Sequence, residues 1–186
     1  MDRKLLLEAA EWRLISLLLT PPDEEDWKQE VSAMASEVED PGLKNAAAAA
    51  CLEGEAGCYH TLLGPGGLAR PRTVSHGSRM LPGEMLSELR GLYGALGYNP
   101  SVKEPPDHVA VMSGFVAYLK LKEALGDTDQ AQIAQRASFR FVHEHLEHLA
   151  RSLVLDLESC GPSYLVQAAQ ALLGKVEELN RGRRWP

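Results

Sequence analysis

Residues Tyr93–His108 read YGALGYNPSVKEPPDH, and this stretch decides the fold. It closes one helix, crosses a turn and opens another. Upstream, Met85, Leu86, Leu89, Leu92, Tyr93 and Leu96 recur at steps of three and four, the spacing of a helix with one buried face. Pro82 suits the first position of that helix, and Gly97 stands where a left-handed cap would end it. Downstream, Val109, Met112, Val116 and Leu119 form a second stripe, with Phe115 and Tyr118 at its margin. Tyr98 to Pro106 is the connecting turn. Pro105 and Pro106 fix φ and hold Lys103 and Glu104 extended, so Asp107 and His108 are presented at a defined angle. Asp107 is the expected N-cap of the next helix. His108, in its first turn, feels the positive dipole end and is expected to be neutral.

The same punctuation organises the rest of the chain. An amphipathic helix is predicted from Asp2 to Leu19, stopped by Pro21 and Pro22. Asp23 is the expected cap of a second helix, with Glu24, Glu25 and Asp26 in its first turn and Trp27, Val31, Met34 and Val38 as its stripe. Pro41-Gly42 breaks the chain before Leu43–Glu53, which carries five consecutive alanines suited to close packing. A short helix follows around Glu55–Leu63. Gly64–Gly83, rich in Gly and Pro and carrying Arg70, Arg72 and Arg79, reads as a long surface loop. A long helix runs from Thr128 past Ala150 on Phe139, Val142, Leu146, Leu149 and Leu153, and a last one on Tyr164, Leu165, Ala168, Leu172, Val176 and Leu179. The basic tail RGRRWP is expected to fray. There is no convincing strand. The fold class is all-α, one domain over residues 1–186 with seven or eight helices, and residues 98–107 are its expected hinge.

With 186 residues, 45% hydrophobic and 24% charged, the chain can bury a core without disulfides or metal. A net charge of −7 disfavours nucleic acid and suits a cationic partner. Three cysteines without a CxxC spacing point to reduced thiols and the cytoplasm. The apolar start is interrupted by Glu8, Glu11 and Arg13, so neither an export signal nor a membrane span is expected there.

His143, His145 and His148 invite a metal reading, but the residue four after His143 is Glu147, so the HExxH pattern is broken. No Glu-x-x-His motif of the di-iron bundles occurs. These histidines read as a polar helix edge. Gly64-Pro65-Gly66-Gly67 lacks the Gly-Lys-Ser/Thr that closes a phosphate loop. No nucleophile elbow or catalytic carboxylate pair is identifiable. No catalytic residue, metal or cofactor is therefore expected. The EPPDH turn keeps two readings: a rigid cap, or a preorganised polar site in which Glu104 and Asp107 receive cations.

The pattern Tyr93-x3-Gly97-Tyr98, then Glu104-Pro105-Pro106-Asp107-His108 opening a helix, then Phe141-x3-His145-Leu146 on the next long helix, resembles the TorD/DmsD/NarJ family of molybdoenzyme maturation chaperones. The resemblance implies a TorD-like helical domain. It implies a cytoplasmic, non-catalytic, client-specific chaperone that binds the catalytic subunit of a molybdopterin oxidoreductase, or its twin-arginine signal peptide, and assists cofactor insertion before export. It implies a client site at Tyr93, Gly97, Tyr98, Glu104, Pro105, Pro106, Asp107, His108, Phe141 and His145, on a monomer or a domain-swapped homodimer. Tyr93 and Tyr98 would offer faces to cations. The competing reading is a helical interaction module unrelated to molybdoenzymes.

Overall fold

Helix α6 (Val109–Leu125) is the axis of the molecule. Its residues from Val109 to Ala117 are all buried, as are Leu119 and Lys120, because neighbouring segments cover most of its surface. The computed structural model describes residues 2–22, 26–76 and 80–181. The other helices are α1 (Arg3–Leu18), α2 (Trp27–Ser36), α3 (Pro41–Glu53), α4 (Ala56–Leu63), α5 (Pro82–Leu96), α7 (Thr128–Phe141), α8 (Glu147–Glu158) and α9 (Ser163–Arg181); α1 and α7 pack directly on α6, and α9 joins α3, α8 and α1. A π-turn, Val142–Leu146, joins α7 to α8 without a break. With Thr128–Glu158 counted as one rod, the described residues hold eight helices, and the all-α class is confirmed. Among them the only β-type pairing is an isolated antiparallel bridge between Arg72 and His108.

Helix α1 lies along α6 and also meets α2, α3 and α9. It is amphipathic only in its first half. From Glu11 to Leu19 every residue but Arg13 is buried, because neighbours enclose this half on several sides. Its last carbonyls find side-chain donors: Trp27 Nε1 donates to Leu17 O at 3.0 Å and the Tyr59 hydroxyl to Leu19 O at 2.9 Å. Two ion pairs, each with one buried partner, tie α1 to its neighbours: Glu8 to Lys120 of α6 at 3.0 Å and Glu11 to Lys175 of α9. The alanine run of α3 places Ala46, Ala47 and Ala50 in the core, where small side chains admit α9 closely.

Helix α2 and the long helix from α7 to α8 differ from expectation. Asp23, Glu24 and Glu25 lie outside the described residues, as do Arg79 and the tail from residue 182. Helix α2 begins only at Trp27, with Asp26 at its N-cap, and ends before Val38, which is buried in the following connection. In the long helix, Phe139 is half-buried and stacks on His143, while Ala134, Ser138 and Phe141 face the core. The π-turn adds a residue to the repeat, so the stripe restarts at Val142, Leu146 and Leu149.

Candidate functional site

Helix α5 ends as its sequence dictates. Gly97 takes φ +76°, and Tyr98 N–H returns to Tyr93 O at 2.8 Å. The freed carbonyls are capped from α6. The Tyr118 hydroxyl lies 3.0 Å from both Leu96 O and Gly97 O, and Lys122 Nζ donates to Leu96 O at 2.9 Å. Tyr98 then folds back over α6. Its hydroxyl donates to Val111 O at 3.3 Å, and a Cβ added at Gly114 would stand 2.6 Å from the Tyr98 hydroxyl oxygen. Glycine is required here by close approach.

The motif residues meet through an aromatic chain. Ring centroids are 5.3 Å apart for Tyr93–Tyr98, 4.7 Å for Tyr93–Phe115, 4.8 Å for Phe115–Phe141 and 5.1 Å for Phe141–His145. Tyr93 and Phe141 are buried, Tyr98 and His145 half-buried and Gly97 exposed. The Tyr93 hydroxyl donates to Pro106 O at 2.7 Å, which fixes the proline turn to α5. Burial raises the Tyr93 phenol above its ordinary range, and raises Tyr98 to about 12 against an opposing effect of Arg13. Both stay neutral donors. The described cation–π contact is Lys122 over Tyr118, at 5.3 Å; the faces of Tyr93 are taken up by Tyr98, Phe115 and Phe141.

Asp107 is not the N-cap. His108 is, with Nδ1 accepting from Ala110 N–H at 3.2 Å. That bond assigns the ring proton to Nε2, which faces the Tyr59 hydroxyl at 3.5 Å. The neutrality expected of His108 holds, and its main cause is burial, helped by Arg72; together they push it down to about 3. Asp107 turns the other way, toward the segment read as a surface loop. Its Oδ1 accepts from Arg72 at 3.0 Å (Nε) and 2.9 Å (Nη2), and its Oδ2 accepts from Val74 N–H at 3.2 Å. Backbone bonds from Thr73 N–H to Asp107 O (3.2 Å) and from Val109 N–H to Pro71 O (2.8 Å) complete the bridge.

Residues 69–76 are therefore a strap and not a free connector. Ala69 and Pro71 are buried, and Thr73–His76 forms a 3-10 turn. Arg70 pairs with Asp156 of α8 at 3.2 Å, and the His76 ring packs on His148 at 5.7 Å. The three histidines of the long helix go to different neighbours: His143 to Glu147 at 3.3 Å, His145 to Phe141, His148 to His76. Arg72 is the partner that sequence reasoning missed. It lies 35 residues from Asp107, and its only signal was an arginine in a stretch without periodicity.

Beside Tyr98 opens an apolar trough of about 450 Å³ between α1, α2 and α6. Leu6, Ala9, Ala10, Met34, Ala117 and Leu121 line it, Tyr98 and Tyr118 wall one side, and Arg13 and Glu37 stand at its rim. A second hollow of about 440 Å³ shares Arg13 and Ser101 with it and reaches Trp27, Glu30, His60 and Glu104. Glu104, Pro105 and Pro106 are half-buried, so the turn contributes its edge to this surface while Asp107 and His108 stay inside. Among the described residues no helix is long and apolar enough to cross a membrane, and no group of three His, Cys, Asp or Glu could hold a metal ion.

No curated protein and no solved structure matches the chain. The family model of the nitrate reductase delta subunit does match, over residues 24–154, which span α2 to most of α8 and include the strap, the EPPDH turn and the π-turn. On that match the chain belongs to the nitrate reductase delta subunit family, a family of molybdoenzyme maturation chaperones.

Proposed function

We propose that this protein is a cytoplasmic, non-catalytic chaperone dedicated to one molybdopterin oxidoreductase. It binds that enzyme's catalytic subunit, through its amino-terminal segment or twin-arginine leader, and holds it ready for cofactor insertion before assembly or export. The observation that carries this reading is the family match over residues 24–154. The trough beside Tyr98 supports the mode of binding. An apolar helical segment would lay its face against Leu6, Met34 and Leu121, and a cationic end would meet Glu37, Glu30 and Glu104. In this reading Tyr98, Gly97 and Glu104 touch the client. Asp107 is reached only where the 69–76 strap yields, and Tyr93, Pro105, Pro106, His108, Phe141 and His145 shape the surface from behind.

Capture of partners from native cytosol by the tagged protein, with identification by mass spectrometry, tests the reading. One large molybdopterin subunit, taken preferentially in its cofactor-free form, is the expected catch. A cytosol in which that subunit is verifiably synthesised, yet is not retained, would instead favour a general helical interaction module.

A further inference from the structure

We infer that Arg72 is an internal competitor for a partner's guanidinium at Asp107, and that the Ala69–His76 strap is exchanged for a segment of the partner. The inference rests on the client reading above. Asp107 is 0% exposed and both its oxygens are filled, Oδ1 by two N–H groups of Arg72 and Oδ2 by Val74 N–H. A strap that simply lifted would leave a buried carboxylate without a cation, which is strongly disfavoured. Release therefore requires a replacement that brings charge and several donors in a fork, as a guanidinium does and an ammonium does less well.

The strap is built to be outcompeted by charge. Only Ala69 and Pro71 are buried; Arg72, Thr73, Val74 and His76 are half-buried and Ser75 is exposed. Its apolar anchors are few: Ala69 lies in the core, Val74 packs against it, and the Thr73 hydroxyl meets Met112 Sδ at 3.4 Å. The rest of its hold is ionic and backbone bonding: Arg72 to Asp107, Arg70 to Asp156, Ala69 N–H to Leu62 O, and the two bridge bonds between Pro71, Thr73, Asp107 and Val109. An extended incoming segment carrying an arginine can make every one of the inner bonds again, pairing its backbone with Asp107 O and Val109 N–H while its guanidinium takes Oδ1. The partner chemistry is thus an arginine in extended backbone, and Arg70-Pro71-Arg72 is the resting occupant of its place.

The test uses the full chain and two labelled synthetic peptides. One carries an Arg-Arg pair ahead of a leucine- and alanine-rich segment; the other has both arginines replaced by glutamine. Anisotropy titrations compare the wild type with Arg72→Gln. At least about tenfold tighter binding of the arginine peptide by Arg72→Gln, with no gain for the glutamine peptide, is expected. Equal or weaker binding by a variant with unchanged circular dichroism overturns the inference. Should Arg72→Gln not fold, hydrogen exchange on the wild type decides. Loss of protection at the Thr73 and Val74 amides on saturation with the arginine peptide, with Val109 still protected by the incoming backbone, supports exchange, and retained protection at Thr73 and Val74 overturns it. Tight binding of both peptides by the wild type with protection retained removes the exchange and leaves the client reading standing. Binding of neither peptide by either protein overturns both.

Discussion

Gly114→Ala is an informative single change in this molecule, because two effects of opposite sign meet there. In a helix interior alanine is ordinarily better than glycine by about 0.5–1 kcal/mol. Here the new methyl would lie 2.6 Å from the Tyr98 hydroxyl and 3.1 Å from Ser16 Oγ. Tyr98 cannot yield easily, since its ring is held against Tyr93, Phe115 and Tyr118 at 5.2–5.4 Å. Moving it breaks the bond to Val111 O, worth about 1 kcal/mol, and strains a packed cluster by about 1–3 kcal/mol. The net expectation is a loss of about 1–3 kcal/mol, or a fall in Tm of about 3–9 °C for a domain of this size. Thermal melts by circular dichroism read this directly. In a Tyr98→Phe background the same change should become neutral or stabilising, because the atom it meets is gone and Ser16 need give only a few tenths of an ångström. A stabilised Gly114→Ala in the wild type would refute the placement of Tyr98 over α6.

Other expectations follow from the same contacts. Asp107→Ala strands Val74 N–H and the Arg72 guanidinium and should cost about 2–4 kcal/mol in urea unfolding. His108 is buried neutral beside Tyr59, Arg72 and Asp107, with its pKa pushed down to about 3. The unfolded chain binds that proton near pH 6.5 and the folded chain does not, so this contribution to stability is complete above 6.5 and is lost as pH falls toward 3, by about 1.4 kcal/mol per unit. His108→Asn, which can still cap α6, should flatten the fall in Tm between pH 6.5 and 4.5. Leu6→Glu with Leu121→Glu, both at solvent-accessible positions of the trough, should leave the melt nearly unchanged and weaken client binding by about tenfold or more in pull-down titrations.

The helices were legible because each carries its own period and punctuation. Gly97 announced the left-handed cap, and the α6 stripe announced a helix, though not that Val109–Ala117 would be buried on both faces. The identity of the α6 cap was not legible. Asp and His are neighbours in EPPDH, and which one caps depends on Arg72, a residue outside any local pattern. The register slip at Val142–Leu146 was hidden for a related reason: Phe139 and Phe141 are both apolar, and a π-turn leaves no signature in hydropathy. The trough was hidden by its own composition. Ala9, Ala10, Gly114 and Ala117 look like core residues, and only the lie of Tyr98 shows that the seam between α1 and α6 stays open on one side.

A chaperone that serves a molybdopterin enzyme while its cofactor is missing must tell the empty subunit from the loaded one. Once the subunit has been captured, its affinity for the purified protein can be compared between the cofactor-free and the loaded form, by titration calorimetry at equal salt. Tight binding of the cofactor-free subunit is expected, with release or binding weakened by at least about tenfold after loading. Equal affinity for both forms would contradict that role.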